Sequence, residues 1–393
     1  MEGIIELLYK HDCIKSGVFT LKSGKTSRYY YNLKNIISYP NLTKKIGTQI
    51  EYLISSKLGF DKFNLICGIP FGGIPVSQYL SLKRSIPAIH PRFNKKTYGT
   101  SSSIEGVYKP NDKVILIEDV MTSGGSIKES IDFLSKHKLK CVAVFTIIDR
   151  MESGLNEICG VPIFHLINKT DLVKFNLNKI IKEKNSRLCF SADITDKEVL
   201  LNKLNKVGPS IAICKLHCDI IEDFDDIFKK KLIHVANNHN FMLMEDRKFS
   251  DISMIVGKQW NRFRSWIDLV TVHANVNIDV IDQLYGVLLV ADMSNNKYNH
   301  WEFVKNLVCK KSNNIVGFIT QKSKKDIESD YDIDLNKYFC MTPGIKFNPG
   351  KDKDQIFRNP SEIDTDIFIV GRGIYNSENV EETAKKYRLC IKL

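Results

Sequence analysis

Three features are missing from this sequence of 393 residues: a long apolar run, a paired-cysteine motif and an acidic surplus. No stretch approaches the roughly 18 consecutive apolar residues that a membrane-spanning helix needs, and the start, 1–6, lacks a secretory apolar region. The ten cysteines include no C-x-x-C pair. Cys214 and Cys218 flank His217, but no second ligand pair follows at a zinc spacing. We therefore expect a cytoplasmic protein with reduced thiols, without a membrane partner and without a structural metal site.

Basic residues outnumber acidic residues by 57 to 45, which gives a formal net charge of +12. Such a surplus favours anionic partners, and nucleic acid, acidic membranes and phosphorylated metabolites all qualify. The basic residues are spread along the chain and form no single tail. This distribution favours small phosphate sites, so we expect phosphorylated ligands and no nucleic-acid partner.

The pattern of apolar residues divides the chain into two halves. Up to about residue 167, strand-like runs alternate with amphipathic helical stretches, which predicts an α/β domain with a largely parallel sheet. A basic, helical-looking stretch follows and is predicted to be a linker, 176–187. The strand-like runs of the first half are Phe63–Ile69, Val114–Ile117, Cys141–Ile148 and Ile163–Ile167.

Eight more strand-like runs follow the linker, spaced about 17 to 30 residues apart, as in a compact (β/α)8 TIM barrel. Each interval is long enough for one strand, one helix and two loops. The predicted domains are therefore 1–175 and 188–393. The eight runs begin near Leu188, Ser210, Phe241, Leu269, Gly286, Ile315, Tyr338 and Asp366.

One apolar run of the first half ends in two acids and a loop of small residues, VILIEDVMTSGGS at 114–126. Glu118 and Asp119 can accept hydrogen bonds from ribose hydroxyls, and the loop can aim N–H groups and hydroxyls at a phosphate. The loop is neither a Walker loop nor a Rossmann GxGxxG. An ordinary strand–turn–helix corner is the alternative. The candidate phosphate-binding residues are Thr122, Ser123, Gly124, Gly125 and Ser126.

This loop resembles the diphosphoribosyl-binding motif of type I phosphoribosyltransferases. The segments FTLKSGKTS at 19–27 and YYYN at 29–32 resemble the signature of orotate phosphoribosyltransferase. The resemblance implies a glycosyltransferase that uses orotate and phosphoribosyl diphosphate (PRPP), with Mg²⁺ neutralising the diphosphate. It implies substrate-binding roles for Lys22, Tyr30, Tyr31 and Arg150, besides Glu118, and a catalytic role for Asp119.

The segment 92–100 resembles the mobile catalytic loop of that family. Arg92 and Lys96 match the residues that neutralise the departing pyrophosphate, reached from a neighbouring subunit; a basic surface loop is the alternative. Phe93 stands where the family often has a second basic residue, Tyr98 where it often has His, and Gly72 where it often has Lys. Each difference removes charge compensation for pyrophosphate, which is compatible with reduced turnover.

In the second half, the third strand-like run leads into EDRKFSD at 245–251. Alternation along a strand predicts that Asp246 and Lys248 lie on one side, at the end of the strand where barrel enzymes place their chemistry. Lys215 ends the second run and is expected at the same rim. Like charges about 4 Å apart repel by about 4 kcal/mol at an effective dielectric of 20, and interleaved lysines make two neighbouring carboxylates tolerable. A chance acidic–basic loop is the alternative.

This array resembles the D-x-K-x-x-D signature of orotidine 5′-monophosphate (OMP) decarboxylase. The resemblance implies decarboxylation without a metal or organic cofactor, in which Asp246 crowds the substrate carboxylate and Lys248 protonates the C6 carbanion. Asp251 would come from the partner subunit of a homodimer with composite active sites, and Lys215 would complete the catalytic set. The implied substrate-binding residues of this half are Ser191, Asp193, His217, Ser294, Pro343, Gln355, Gly371 and Arg372.

The second half also departs from its family. The stretch 292–298 is shorter than the family's loop over the pyrimidine, Ile255 replaces a common threonine, and Phe357 replaces a common tyrosine. The D-x-K-x-x-D pattern also serves sugar-phosphate decarboxylases that bind Mg²⁺, but the orotate-type first half argues against that activity.

Together the two resemblances cover nearly the whole chain, in the order of the bifunctional UMP synthase family. They imply conversion of orotate and PRPP into OMP, and then of OMP into UMP and CO₂. Two alternatives stay open. One is an active transferase fused to a silent barrel that binds nucleotide without turnover, and the other is a non-catalytic nucleotide- or RNA-binding regulator.

Overall fold

The computed structural model describes residues 1–21, 24–92, 103–293, 299–310, 312–352 and 355–390. The chain divides into two compact units, of which the first contains 1–15 and 30–172 and the second contains 16–29 and 173–393. Within the described residues, none of the helices is both long enough and apolar enough to cross a membrane. All ten cysteines are free thiols.

Up to residue 184, the described residues form nine strands and five α-helices. Strands β1–β9 are Ile14–Thr20, Thr26–Tyr31, Leu65–Gly68, Ala88–Pro91, Ile104–Glu105, Lys113–Met121, Lys140–Asp149, Glu157–Ile158 and Val161–Asn168. Helices α1–α5 are Glu2–Lys10, Pro40–Lys57, Ile74–Arg84, Gly125–Lys136 and Lys169–Lys184. Most of the predicted linker lies in α5, and the predicted domain boundaries stay a prediction.

A seven-stranded sheet in the order β5-β4-β3-β6-β7-β9-β8 organises the first unit. Its five central strands are parallel, and β5 and β8 pair antiparallel at the two edges. In β6 the side chains of Val114, Ile115, Leu116 and Ile117 are fully buried, because a parallel strand covered on both faces needs a continuous apolar run. The predicted α/β domain with a largely parallel sheet is confirmed.

In the second part of the chain, ten strands and eight α-helices lie within the ranges that the structure describes. Strands β10–β19 are Leu188–Ser191, Ile213–Leu216, Met242–Phe249, Leu269–His273, Val287–Val290, Ile315–Ile319, Phe339–Thr342, Gly350–Asp352, Gln355–Phe357 and Ile367–Val370. Helices α6–α13 are Lys197–Val207, Asp226–Asn238, Ser253–Trp260, Ile278–Asp282, Trp301–Cys309, Lys324–Tyr331, Arg372–Tyr375 and Val380–Cys390.

Eight of these strands, β10 to β16 and β19, close into a parallel barrel, and β17 and β18 form an antiparallel hairpin inserted before the last strand. Each of the eight predicted runs overlaps one barrel strand, so the (β/α)8 prediction is confirmed. Because parallel strands run in one direction, their carboxyl ends meet at one rim of the barrel.

The segment 16–29 of the N-terminal hairpin belongs to the second unit. Arg28 is 4% exposed and pairs with the carboxylate of Asp268. Its guanidinium also donates to the carbonyl of Phe241 at 2.5 Å and to Oδ1 of Asn237 at 3.0 Å, and the Tyr29 hydroxyl donates to Asp268 at 2.9 Å. A buried ion pair is tolerated only when hydrogen bonds offset its desolvation, and here they hold the segment at the amino ends of β12 and β13.

Candidate active sites

A cavity of about 310 Å³ opens at the carboxyl ends of the barrel strands. Residues from several strands and from the loops after them line it, and most are those that the sequence resemblance indicated. Ser294 lies outside the described residues. The lining includes Ser191, Asp193, Lys215, His217, Asp246, Lys248, Asp292, Pro343, Gln355, Gly371 and Arg372.

Asp246 is the centre of the charged wall of this cavity. Its Oδ2 lies 2.7 Å from Nζ of Lys215, 2.9 Å from Nζ of Lys248 and 3.3 Å from Nε2 of His217. Burial opposes ionisation of this carboxyl, but the ammonium of Lys215, with smaller effects from His217 and Lys248, holds the pKa of Asp246 well below its usual range. Asp246 is therefore a buried carboxylate that stays charged at neutral pH.

Lys215 also stays charged, although it is buried. Burial opposes its protonation, but the carboxylates of Asp246 and Asp193 raise the pKa of Lys215. Nζ of Lys215 lies 3.6 Å from Oδ1 of Asp193, and that carboxylate accepts a hydrogen bond from the Ser191 hydroxyl at 3.1 Å. The result is an alternating array of carboxylates and ammonium groups across β10, β11 and β12.

The backbone brings Lys248 to Asp246 by a route that differs from the expected alternation. The pairing of β12 with β13 shifts register between Glu245 and Phe249, and Lys248 has a left-handed φ of 52°. That conformation costs about 1–2 kcal/mol for a residue with a side chain. The two side chains meet as expected, but through an irregular strand end.

Thr271 of β13 is a site residue that sequence reasoning missed. Its hydroxyl donates to Oδ1 of Asp246 at 2.8 Å and accepts from the N–H of Lys248 at 2.9 Å. Thr271 therefore fixes both members of the central pair. A single polar residue in the apolar run of β13 is the sequence signal that could have found it.

Asp251 is not among the residues of its own chain that line the cavity. Its side chain is exposed, and Oδ1 accepts a hydrogen bond from the N–H of Ile252 at 2.7 Å. The contribution of Asp251 to a partner's cavity stays a prediction.

Another cationic group that lines the cavity is Arg372, which follows the last barrel strand. Arg372, which begins α12, donates to Oε1 of Gln355 at 2.8 Å and lies 5.2 Å from the ring centre of Phe357. A Cβ atom on Gly371 would lie 3.3 Å from Cβ of Ser191, which leaves little room for any side chain there. A guanidinium and an amide are suitable groups for a phosphate.

In the first unit, the two acids predicted to bind ribose stand at the end of β6. Glu118 is buried and accepts from the Ser126 hydroxyl at 2.6 Å and from the N–H of Asp119 at 3.1 Å. Burial, with a further contribution from the adjacent Asp119, raises the pKa of Glu118 to about 8. Gly124 has a φ of 80° and precedes α4, so the turn through 122–126 directs the chain into the helix as predicted.

Gly72 has a structural reason to lack a side chain. A Cβ atom at this position would collide with the carboxylate of Asp119. The lysine that is common in the family at this position is therefore incompatible with this placement of Asp119.

Tyr31 and Arg150 come together, with the guanidinium 4.9 Å from the centre of the ring. Lys169, which sequence reasoning missed, is 6% exposed and donates to the Tyr31 hydroxyl at 3.2 Å. Arg150 also pairs with Glu152 at 2.5 Å. These contacts place two cations beside a tyrosine at the carboxyl ends of β7 and β9.

The remaining predicted residues of this half are described only in part. Tyr30 is exposed, and Arg92 pairs with Glu105 of β5. Lys22, Phe93, Lys96 and Tyr98 lie outside the described residues. In the described part of the chain, no cluster of three or more His, Cys, Asp or Glu side chains is suited to hold a metal ion.

The family model described as Orotidine 5'-phosphate decarboxylase / HUMPS family matches residues 186–387. The match covers just over half of the chain, which therefore belongs to that family. The Phosphoribosyl transferase domain model matches residues 32–160. The chain thus contains both domain types, with the transferase domain first.

Comparison with individual proteins gives the same division. The chain is 28% identical to uridine 5'-monophosphate synthase of Bos taurus, over 98% of this chain and 95% of the relative. It is 36% identical to orotate phosphoribosyltransferase of Pyrococcus abyssi, over 44% of this chain and 94% of the relative. It is 33% identical to orotidine 5'-phosphate decarboxylase of Pichia kudriavzevii, over 56% of this chain and 91% of the relative. The chain is thus similar to a uridine 5'-monophosphate synthase along nearly its whole length.

Proposed function

We propose that this chain catalyses two consecutive steps of de novo pyrimidine synthesis. A glycosyltransferase step converts orotate and PRPP into OMP and pyrophosphate, and a carboxy-lyase step converts OMP into UMP and CO₂. The observation that carries the proposal is the charged array of Asp246, Lys215 and Lys248 in the cavity of a barrel fused to a phosphoribosyltransferase domain.

The second step follows from the charges around Asp246. A substrate carboxylate placed beside this permanently charged group is repelled by about 4 kcal/mol at 4 Å and an effective dielectric of 20. Loss of CO₂ breaks the bond at C6 and leaves the electron pair on that carbon. Lys248, whose Nζ lies 2.9 Å from Asp246, then gives a proton to C6. Lys215 and Thr271 hold Asp246 in place, and none of these residues needs a metal for its part.

In the first step, orotate N1 forms a bond to the ribose carbon as pyrophosphate leaves with the electron pair of the broken C–O bond, and the proton of N1 passes to pyrophosphate or to water. Glu118 and Asp119 offer carboxylate oxygens that fit ribose hydroxyls or a Mg²⁺ ion held with PRPP. Burial is the main cause of the raised pKa of Glu118, with a smaller contribution from Asp119, and a cation held at this place would favour the charged form of both acids. Mg²⁺ would supply charge neutralisation for the diphosphate.

The proposal extends to the assembly and location of the protein. We propose a homodimer in which Asp251 reaches the partner's decarboxylase site, and Arg92 and Lys96 reach the partner's transferase site. The predicted cytoplasmic location is supported by the ten free thiols.

The test follows label from carboxyl-labelled orotate, supplied with PRPP and Mg²⁺, into OMP and CO₂. We expect labelled CO₂ from the natural chain and label arrested in OMP for Lys248→Ala. Lys258→Ala, an exposed lysine on α8, is the matched control and should release CO₂ at the natural rate. Label arrested in OMP with the natural chain would identify a silent barrel, and label that stays in orotate would refute the transferase activity. OMP supplied directly to the natural chain tests the decarboxylase by itself.

A further inference from the structure

Gln321, the second residue after β15, contacts three parts of the barrel rim. Its N–H donates to Oδ2 of Asp292 at 3.2 Å, and its side-chain Nε2 donates to the carbonyl of Pro343 at 3.1 Å. Its backbone carbonyl and its Oε1 both accept from the guanidinium of Arg358, at 3.2 Å and 2.8 Å. One residue therefore joins the chain after β14, after β16 and after β18.

Two of these partners line the decarboxylase cavity. Asp292 follows β14, is 8% exposed, and its Oδ2 also accepts from Nε1 of Trp301 at 2.9 Å and from the Thr320 hydroxyl at 3.0 Å. Pro343 follows β16 at the opposite side of Gln321. Gln321 thus connects the ends of the fifth, sixth and seventh barrel strands, with its backbone N–H on Asp292 and its side chain on Pro343.

The third partner, Arg358, directly follows the hairpin β17–β18 and connects it to the chain after β16. Its N–H donates to the carbonyl of Gly344 at 2.9 Å, and its carbonyl accepts from Lys346 at 3.1 Å. The residue before it, Phe357, lies under the guanidinium of Arg372, and Gln355 of the same strand accepts from Arg372. A displacement of Arg358 would therefore move the two side chains that position Arg372.

We propose that Gln321 is a positioning residue for the phosphate end of the decarboxylase cavity, acting through Arg358 and the Pro343 turn. The inference rests on the proposed function, because that function identifies Gln355 and Arg372 as the phosphate site. Asp246 and Lys248 lie on the third barrel strand, on another wall. Loss of the Gln321 side chain should therefore weaken binding of the nucleotide more than it slows the chemical step.

The variant Gln321→Met keeps the size of the side chain and removes both of its hydrogen bonds. Hydrogen bonds to a charged group are stronger than neutral ones, so we expect KM for OMP to rise about tenfold. We expect kcat to change less than about threefold, since interactions that bind substrate and transition state equally affect KM alone. UMP binding, measured by calorimetry, should weaken by the same factor as KM rises.

Two further variants identify the path of the effect. Gln321→Glu keeps an acceptor for Arg358 but places a carboxylate oxygen against the carbonyl of Pro343, so its KM should lie between those of the natural chain and Gln321→Met. If Gln321 acts through Arg358, the double variant with Arg358→Met should be little worse than Arg358→Met alone, because residues in one network are not additive. Gln49→Met on the exposed face of α2 is the matched control.

Each outcome has a separate meaning. An unchanged KM and an unchanged UMP affinity in Gln321→Met, in a natural chain that releases CO₂, would overturn this inference alone. A fall in kcat at constant KM would also overturn it, since the residue would then act on the chemistry. Thermal unfolding and OMP formation by the first domain show whether the variant is folded. A natural chain that neither decarboxylates OMP nor binds UMP would refute the proposed function, and this inference with it.

Discussion

Replacement of Asp246 by Asn separates the two roles that the structure gives to this carboxylate. Asp246 repels the substrate carboxylate, and it also holds Lys248 at 2.9 Å and Lys215 at 2.7 Å. The amide keeps the size of the side chain but removes the negative charge. The repulsion is about 4 kcal/mol at an effective dielectric of 20. If only half of it is lost, the barrier rises by about 2 kcal/mol and decarboxylation slows about 30-fold. Poorer placement of Lys248 would add to that loss.

The assay measures kcat for OMP together with the affinities of OMP and UMP in a Lys248→Ala background, in which OMP survives long enough to bind. Adding Asp246→Asn to that background should strengthen OMP binding and leave UMP binding nearly unchanged, because UMP carries no C6 carboxylate. Asp219→Asn, whose carboxylate is exposed and pairs with Arg247, is the matched control. If OMP and UMP affinities shift together, electrostatic crowding of the substrate carboxylate by Asp246 is refuted.

Three further predictions concern other parts of the chain. Gly72→Ala should lower OMP formation and leave decarboxylation unchanged, because the new Cβ collides with the side chain of Asp119. Gly3→Ala, whose Cβ would have no atom within 4 Å, is the control and should affect neither rate. Burial raises the pKa of Glu245 from 4.5 to about 7. Between these two pH values the folded chain keeps a proton on Glu245 that the unfolded chain has lost, so the stability of the fold decreases as the pH rises through this range. Glu245→Gln should therefore raise the melting temperature at pH 8 and change it little at pH 4. Arg28→Met should destabilise the second unit by about 3–5 kcal/mol in urea unfolding, because it leaves Asp268 as an unpaired buried charge, and an unchanged midpoint would show that the pair contributes nothing.

The sequence predicts the strands better than it predicts the contacts between their ends. Buried parallel strands are continuous apolar runs, so the pattern of apolar residues is enough to locate β6 and the eight barrel strands. The charged array can be located for the same reason, because it directly follows one of those runs. Thr271 is a polar residue within the apolar run of β13, and Gln321 is one of several polar residues after β15. The partners of both depend on which strands lie side by side, and the local sequence does not encode that adjacency.

Two other features depend on distant parts of the chain or on fine backbone geometry. Arg28 and Asp268 are separated by 240 residues, and no spacing rule connects them. The left-handed backbone of Lys248 depends on a register shift against β13, whereas alternation along an ideal strand assumes regular pairing. In both cases tertiary packing determines what local sequence patterns leave open.

The pairing of Arg28 with Asp268 makes the fusion of the two activities difficult to reverse. Fission of the gene after residue 172 would release a barrel polypeptide, 173–393, that buries the Asp268 carboxylate without its cation. Breaking such a pair costs about 3–5 kcal/mol, a large part of the roughly 5–15 kcal/mol that typically holds a domain folded. A lineage that split the chain there would need a compensating substitution at Asp268 beforehand, or would have to carry residues 16–29 along with the barrel. The contribution of a short N-terminal hairpin to the stability of the barrel thus favours keeping both domains in a single polypeptide.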